Sequence, residues 1–322
     1  MEQRQATFGQ TGWALLIAVV ILFVWDLVGP YVMPDSVVAR YLVLALIELT
    51  FFIPPLVLWV RNRAPFAARY AGRRAVVDVL LGLAMGLVMV PVAGILNLLS
   101  QAVILATGGQ PLGGGLPALP GYWGLALGVT SVALSAAVSE EALFRGLLLP
   151  ALGARQGLKR AVLLSAALFA LCHGNLATLP YTFAQGVMLA ALAVRTGSLW
   201  ASMGYHFATN ALSVVVQFGV EGLSRDPELG RLLDTAASQA NSAADMLRTA
   251  LTMLPMVVMA AGAAALLYFL LTRAHPRRVW TLARTGEDVS WQAQTPYVLA
   301  VALLVVLLVR SGLMTYFPEL WQ

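Results

Sequence analysis

Chemically reactive and ionisable residues are scarce in this chain. Of its 322 residues one is cysteine, three are histidine and one is lysine, and charged residues make up only 11%. A single cysteine, Cys172, excludes an intrachain disulfide framework. No small-residue cleavage site follows the first apolar run after Met1–Thr11, so that run reads as a retained membrane helix and not as a removed signal peptide. There is no repeat at solenoid period and no low-complexity tract. The isoelectric point near 9.7 does not point to nucleic acid. Nineteen of the twenty basic residues are arginine, and most lie in short stretches between apolar runs, where they set topology.

What remains is apolar. The chain is 60% hydrophobic, with mean hydropathy +0.81 and repeated apolar runs long enough to cross a bilayer. That composition excludes an ordinary soluble domain and implies an all-α, polytopic integral membrane protein. Nine apolar segments are legible, at roughly 13–33, 41–60, 76–106, 121–149, 160–173, 177–194, 198–219, 249–272 and 296–315. They predict about eight to nine transmembrane helices around a polar intramembrane cavity. The fifth and sixth are short for a bilayer and are tolerated only among other helices or beside a cavity. The most polar connector, 221–248, carries charges of both signs and reads as a short surface helix.

The positive charges alternate. Arg61, Arg63, Arg69, Arg73 and Arg74 separate the second and third segments, and Arg155, Lys159 and Arg160 the fourth and fifth. Arg195 separates the sixth and seventh, and Arg273, Arg277, Arg278 and Arg284 the eighth and ninth. The intervening 101–121 has no charge at all. Every second loop is basic, which places the N-terminus, with Arg4, in the cytoplasm and the C-terminus across the membrane, in a bacterial inner or plasma membrane.

Against this background the run Ser139-Glu140-Glu141-Ala142-Leu143-Phe144-Arg145-Gly146 stands out. An ionised side chain at mid-bilayer costs about 2.5–3.5 kcal/mol on insertion scales. Three such groups within six residues must pair, face a wet cavity, or both. Glu141 and Arg145 are four apart and share a helix face. Glu140 lies ~100° round the helix from Glu141 and is free to meet another partner. Counting rise from the cytoplasmic ends puts Glu140 ~15 Å deep, His173 ~18 Å, His206 ~12 Å and Asn210 ~18 Å, so three helices bring polar groups to one depth. Phe169 shares a face with His173, and His206 with Asn210.

Each group also has a plainer reading. Glu141 and Arg145 serve as a structural ion pair, a membrane histidine or Asn210 as a helix–helix hydrogen bond. Cys172 diverges from His173 and is not read as a nucleophile. His275, beside Pro276, reads as solvated, and Glu48, Asp26 and Asp78 are given no role. Other functional classes fit parts of the pattern: a proton-coupled transporter, though no second paired-carboxylate segment is found, a bis-histidine haem protein, or a non-catalytic scaffold or immunity protein.

Taken together, Glu140-Glu141-x-x-x-Arg145, Phe169-x-x-x-His173 and His206-x-x-x-Asn210, with Arg195-Thr196-Gly197-Ser198-Leu199-Trp200 leading into the third, resemble the motifs of the CAAX-processing and bacteriocin-processing (CPBP, or Abi) intramembrane proteases. That family includes the type II CAAX prenyl endopeptidases. The resemblance covers roughly 120–220, flanked by N-terminal helices in 1–119 and by a polar connector with C-terminal helices in 221–322. It implies hydrolysis of a peptide bond in a membrane-associated or lipidated protein, with Glu140, Glu141, Arg145, His173, His206 and Asn210 as site residues. In that scheme Glu140 activates water, His173 orients the water or protonates the leaving amine, and His206 and Asn210 hold the oxyanion. Glu141, held by Arg145, tunes Glu140. The partners implied are a peptide or lipidated substrate and membrane lipid. No cofactor is favoured. The alternative is Zn²⁺ on Glu140, His173 and His206, a two-histidine, one-carboxylate set, although no H-E-x-x-H is present.

Overall fold

The computed structural model describes residues 6–62, 74–112, 121–239, 242–275 and 290–321. Arg4, Arg63, Arg69, Arg73, Arg277, Arg278 and Arg284, used above for orientation, lie outside them. Among the described residues the chain is helical throughout, with no β-strand.

The helices are α1 (Phe8–Val32), α2 (Val37–Arg61), α3 (Ala75–Val88) and α4 (Val90–Ala106). Next comes one long helical stretch, Gly121–Gln156, built of α5 (Gly121–Gly128), a π-helical segment (Val129–Leu134), α6 (Ser135–Leu143), a second π segment (Phe144–Leu148) and α7 (Leu149–Gln156). Then follow α8 (Leu158–Cys172), α9 (Leu179–Thr196), α10 (Trp200–Ser224), α11 (Pro227–Gln239), α12 (Ala243–Ala274) and α13 (Trp291–Tyr316).

Local chemistry accounts for the boundaries. Thr7 and Gln10 close a capping box at the start of α1. Met89 separates α3 from α4, and the two axes are bent by 40°. Pro91, in the first turn of α4, lacks the N–H that would continue the ladder back into α3. Gly197 takes the left-handed conformation (φ 68°) after α9. The Thr196 hydroxyl accepts from Ser198 N (3.1 Å), and the Ser198 hydroxyl accepts from Trp200 N (3.2 Å). This turn launches α10.

Five stretches are long and apolar enough to cross a membrane: α1, α2, Gly121–Gln156, α12 and α13. The bent α3–α4 pair makes six. The expectation of eight to nine is therefore met only in part, and the shortfall falls on α8, α9 and α10. Helix α8 has 15 residues, ~22 Å of rise against ~30 Å of hydrocarbon. Helix α10 is long enough but carries Tyr205, His206, Thr209, Asn210 and Ser213 through its middle. The outer helices instead turn large apolar side chains outward, among them Val60, Leu251, Val258 and Met259.

The helix ends gather on two faces. On one, the Arg155 guanidinium lies 4.9 Å over the Phe8 ring. Arg74 donates to Ala274 O (2.6 Å) and Arg195 to Thr272 O (3.0 Å), so the starts of α1 and α3 and the ends of α7, α9 and α12 share the side that carries the basic connections. On the other, Gln110 N donates to Thr315 O (2.7 Å) and Thr107 meets the Tyr316 hydroxyl (2.8 Å). The uncharged connection after α4 and the end of α13 lie there together. Polar 227–239 forms the exposed helix α11.

Helices α3 and α10 pack closest. A Cβ on Gly82 would overlap the Ala201 carbonyl, and one on Gly204 would come 2.7 Å from Val79 O. Small residues on both helices allow this approach, the usual device for packing helices where the surroundings are as apolar as the side chains. It also holds His206, two residues beyond Gly204, against the interior.

Candidate active site

Helix α6 carries the two glutamates between the two π segments. A π turn displaces a backbone carbonyl from its ordinary partner, and such segments recur at functional sites. Here each offers one to a neighbour: Asn210 Nδ2 donates to Val132 O (3.4 Å) and Ser165 Oγ to Phe144 O (3.4 Å). The π segments thereby lock the glutamate-bearing helix against α10 and α8.

Glu141 and Arg145 pair as their spacing implies, with Nη1 2.8 Å from Oε1 and both side chains at 0% exposure. The same Oε1 accepts from His206 Nδ1 at 3.1 Å. Arg145 uses a second nitrogen on Gly186 O (3.0 Å), and its guanidinium lies 4.4 Å over the Phe169 ring. Phe169 in turn contacts the rings of His173 (centroids 4.8 Å) and His206 (5.8 Å, edge-on). One buried phenyl ring therefore joins the arginine and both histidines.

Hydrogen-bond direction identifies the histidine tautomers. A carboxylate and a carbonyl only accept, so Nδ1 carries the proton in His206, toward Glu141, and in His173, toward Phe169 O (2.8 Å). In the neutral rings both Nε2 atoms are left as bases. A histidine oriented by a carboxylate in this way is the arrangement used to position general bases and to balance the charge when they take a proton.

Glu140, 9% exposed, lies beside Glu48 of α2, close enough for the two carboxyls to interact. Glu140 Oε2, Glu48 Oε2, Glu141 Oε2, Arg145 Nε and Ser139 Oγ are all buried without a hydrogen-bond partner among the described residues. That concentration of unmet polar atoms marks where a polar ligand or attacking water is best accommodated.

The remaining candidates face different spaces. His173 caps the end of α8 and lines a cavity of about 460 Å³. This cavity is built from the far ends of α1 and α13, opposite the basic connections. It also holds Cys172 and the ion-paired Asp26 and Arg310. Asn210 lines a second cavity, of about 300 Å³, between α4, α9 and α10. His173 lies on the first wall, and Tyr205 and Asn210, on either side of His206 along α10, lie on the second.

Four residues without an assigned role turn out to be engaged, Asp26 with Arg310 among them. Glu48 was legible as a lone carboxylate in an apolar run, a signal that marks function by default. His275 is not merely solvated: its Nε2 lies 2.7 Å from Asp78 Oδ1, and Asp78 is fully buried. Among the described residues, no three His, Cys, Asp or Glu side chains come together to hold a metal ion. The zinc set of Glu140, His173 and His206 is instead divided, with Glu140 on Glu48, His206 on Glu141 and His173 at a cavity wall. The donor set does not fit a three-ligand metal centre.

Residues 122–212 match the family model described as Rce1-like, type II CAAX prenyl endopeptidase Rce1-like. No curated protein and no solved structure matches the chain. Over roughly a third of its length, the stretch that carries both glutamates, Arg145 and both site histidines, the chain is thus similar to that prenyl endopeptidase family.

Proposed function

We propose that this protein is an intramembrane endopeptidase that hydrolyses a peptide bond of a membrane-associated or lipidated protein, using a water activated by Glu140. The observation that carries the reading is the pairing of two unlike carboxylates on one helix. Glu141 is spent on Arg145 and His206, whereas Glu140 is buried with no cation or histidine bonded to it among the described residues.

The chemistry follows from those roles. Glu140, ionised, takes a proton from water as its oxygen bonds to the scissile carbonyl carbon. His206 is oriented by Glu141, and its Nε2 first accepts from the water. As the intermediate collapses, Nε2 takes the second proton of that water, now on the intermediate's hydroxyl, and the imidazolium is balanced by the Glu141 carboxylate. When the C–N bond breaks, the departing nitrogen takes up the proton held by Glu140. Arg145 keeps Glu141 ionised and fixed, and Phe169 walls the centre from lipid. His173 Nε2, at the wall of the larger cavity, is suited to pass protons to and from it. No step uses a metal.

In this reading α8, α9 and α10 are membrane-embedded within a ring of five to six spans, and the face with the basic connections is cytoplasmic. The test is a farnesylated peptide ending in a CAAX-type sequence, incubated with the purified protein and with Glu140→Gln. Release of the C-terminal tripeptide by the native protein alone, read by mass spectrometry, supports the reading. Equal release by both, or by neither, overturns it.

A further inference from the structure

The two cavities, one lined by His173 and one by Asn210, differ in chemistry. The larger contains an ion pair, Asp26 with Arg310. The smaller contains no charged residue at all, although it is rich in hydrogen-bonding groups. Three carboxamides line it, each from a different helix: Asn97 from α4, Gln185 from α9 and Asn210 from α10. Two phenols, Tyr181 and Tyr205, and the Thr209 hydroxyl join them. The walls between are Met, Val, Leu, Ala and Gly.

Part of this capacity is used within the protein. Gln185 Nε2 donates to Thr209 Oγ1 (3.0 Å), and Asn210 Nδ2 to Val132 O (3.4 Å). The carbonyl oxygens of Gln185 and Asn210 and the Asn97 amide have no hydrogen-bond partner among the described residues, and all three residues line the cavity. A charged ligand would find no countercharge there and would lose its hydration. A hydrocarbon chain would strand the amides. The group that matches an uncharged lining of paired donors and acceptors is another amide, and the ligand that presents amides in series is an extended peptide.

Position supports the same occupant. Asn210 lies one helical turn beyond His206, and Gln185 directly precedes Gly186, whose carbonyl oxygen accepts from Arg145. About 300 Å³ is at the small end of ligand pockets, room for a short stretch of chain. The α4 wall, Met89 to Asn97, lies outside the family-matched segment.

We propose that the cavity between α4, α9 and α10 is a peptide-binding subsite that holds an uncharged, extended stretch of substrate beside the scissile bond. Asn97 and Gln185 engage its backbone. The proposal rests on the endopeptidase reading for the word substrate, and its test separates the two.

The probe is the farnesylated CAAX-type peptide with the full-length protein. Asn97→Leu and Gln185→Leu keep side-chain bulk and remove the hydrogen bonds. Each raises KM about three- to tenfold with kcat within about twofold, the signature of lost ground-state binding. Leu163→Ala, on the exposed face of α8, changes neither. In a second measurement a benzophenone amino acid replaces Ala184 on the cavity wall. It crosslinks to the peptide, and unlabelled peptide competes, whereas the same group at Leu163 does not crosslink. Unchanged KM in both leucine variants, or absence of the competed crosslink at 184, overturns the subsite. If the native protein does not hydrolyse the peptide, the endopeptidase reading falls. The crosslink then still decides binding: present, it supports a peptide site, and absent, it overturns it.

Discussion

The protein contains two buried carboxylate–histidine pairs, and they are built differently. Glu141 and His206 (3.1 Å) join α6 to α10 in the interior. Asp78 and His275 (2.7 Å) join the start of α3 to the end of α12. Around Asp78 the cations are spent on backbone: Arg74 and Arg195 donate to the last carbonyls of α12, where the helix dipole favours positive charge. Around Glu141 the cation is spent on the carboxylate itself, and a second carboxylate, Glu140, stands next in sequence with no cation bonded to it. The first kind of pair fastens helix ends. The second kind leaves one group of the cluster chemically uncommitted. The same residue types therefore serve as a clasp in one place and as a candidate catalytic centre in the other.

The sharpest way to break this comparison is Glu140→Gln. If Glu140 is the general base, hydrolysis falls by about 10²–10⁴-fold while thermal stability stays near that of the native protein. Rate and melting temperature measured on the same preparation check this, and a folded variant of native activity removes Glu140 from the chemistry. Glu141→Gln acts on the fold. It leaves Arg145 buried without its carboxylate and costs about 3–5 kcal/mol, visible as lost yield or a lowered melting temperature. A stable Glu141→Gln beside a collapsed Glu140→Gln would exchange the two roles.

Smaller effects sharpen the contrast. Gly204→Val pushes a side chain against the Val79 carbonyl and costs about 1–3 kcal/mol by separating α3 from α10. Asp78→Asn weakens the clasp at the end of α12 by about 1–3 kcal/mol, with activity per folded molecule unchanged. Loss of turnover in well-folded Asp78→Asn would join the two pairs into one functional unit. Glu48→Gln has the least effect on stability, under about 1 kcal/mol, because an amide of the same size replaces a carboxyl that stands beside a second one. A rate change of more than about tenfold in that variant would bring Glu48 into the reaction.

Some of this was legible from residue spacing. Each of the nine apolar segments corresponds to a helical stretch, and 227–239 is the exposed helix expected of the polar connector. The Glu141–Arg145 pair follows from four-residue spacing, and the turn through Thr196, Gly197 and Ser198 from residues that cap and reverse a helix. The two-faced grouping of helix ends agrees with the alternation of basic loops. Other features left no mark in the spacing. Two π segments bracket α6, and nothing in the local sequence announces either. Glu48 lies 92 positions before Glu140 yet stands beside it. Asn97, in the cavity wall, was not singled out.

Sequence alone determined composition, helix order and the alternation of charge, because hydropathy and rise per residue are properties of one helix at a time. Tertiary structure decided which polar groups meet. Equal depth does not fix azimuth: His206 could have faced Glu140, lipid or a cavity, and close packing of Gly82 and Gly204 turned it to Glu141. The short α8 could have stopped anywhere across the bilayer, and its end places His173 in one cavity while Asn210 lines another. Partner choice depends on helix tilt, π turns and backbone approach, and these are set by contacts between segments far apart in the chain.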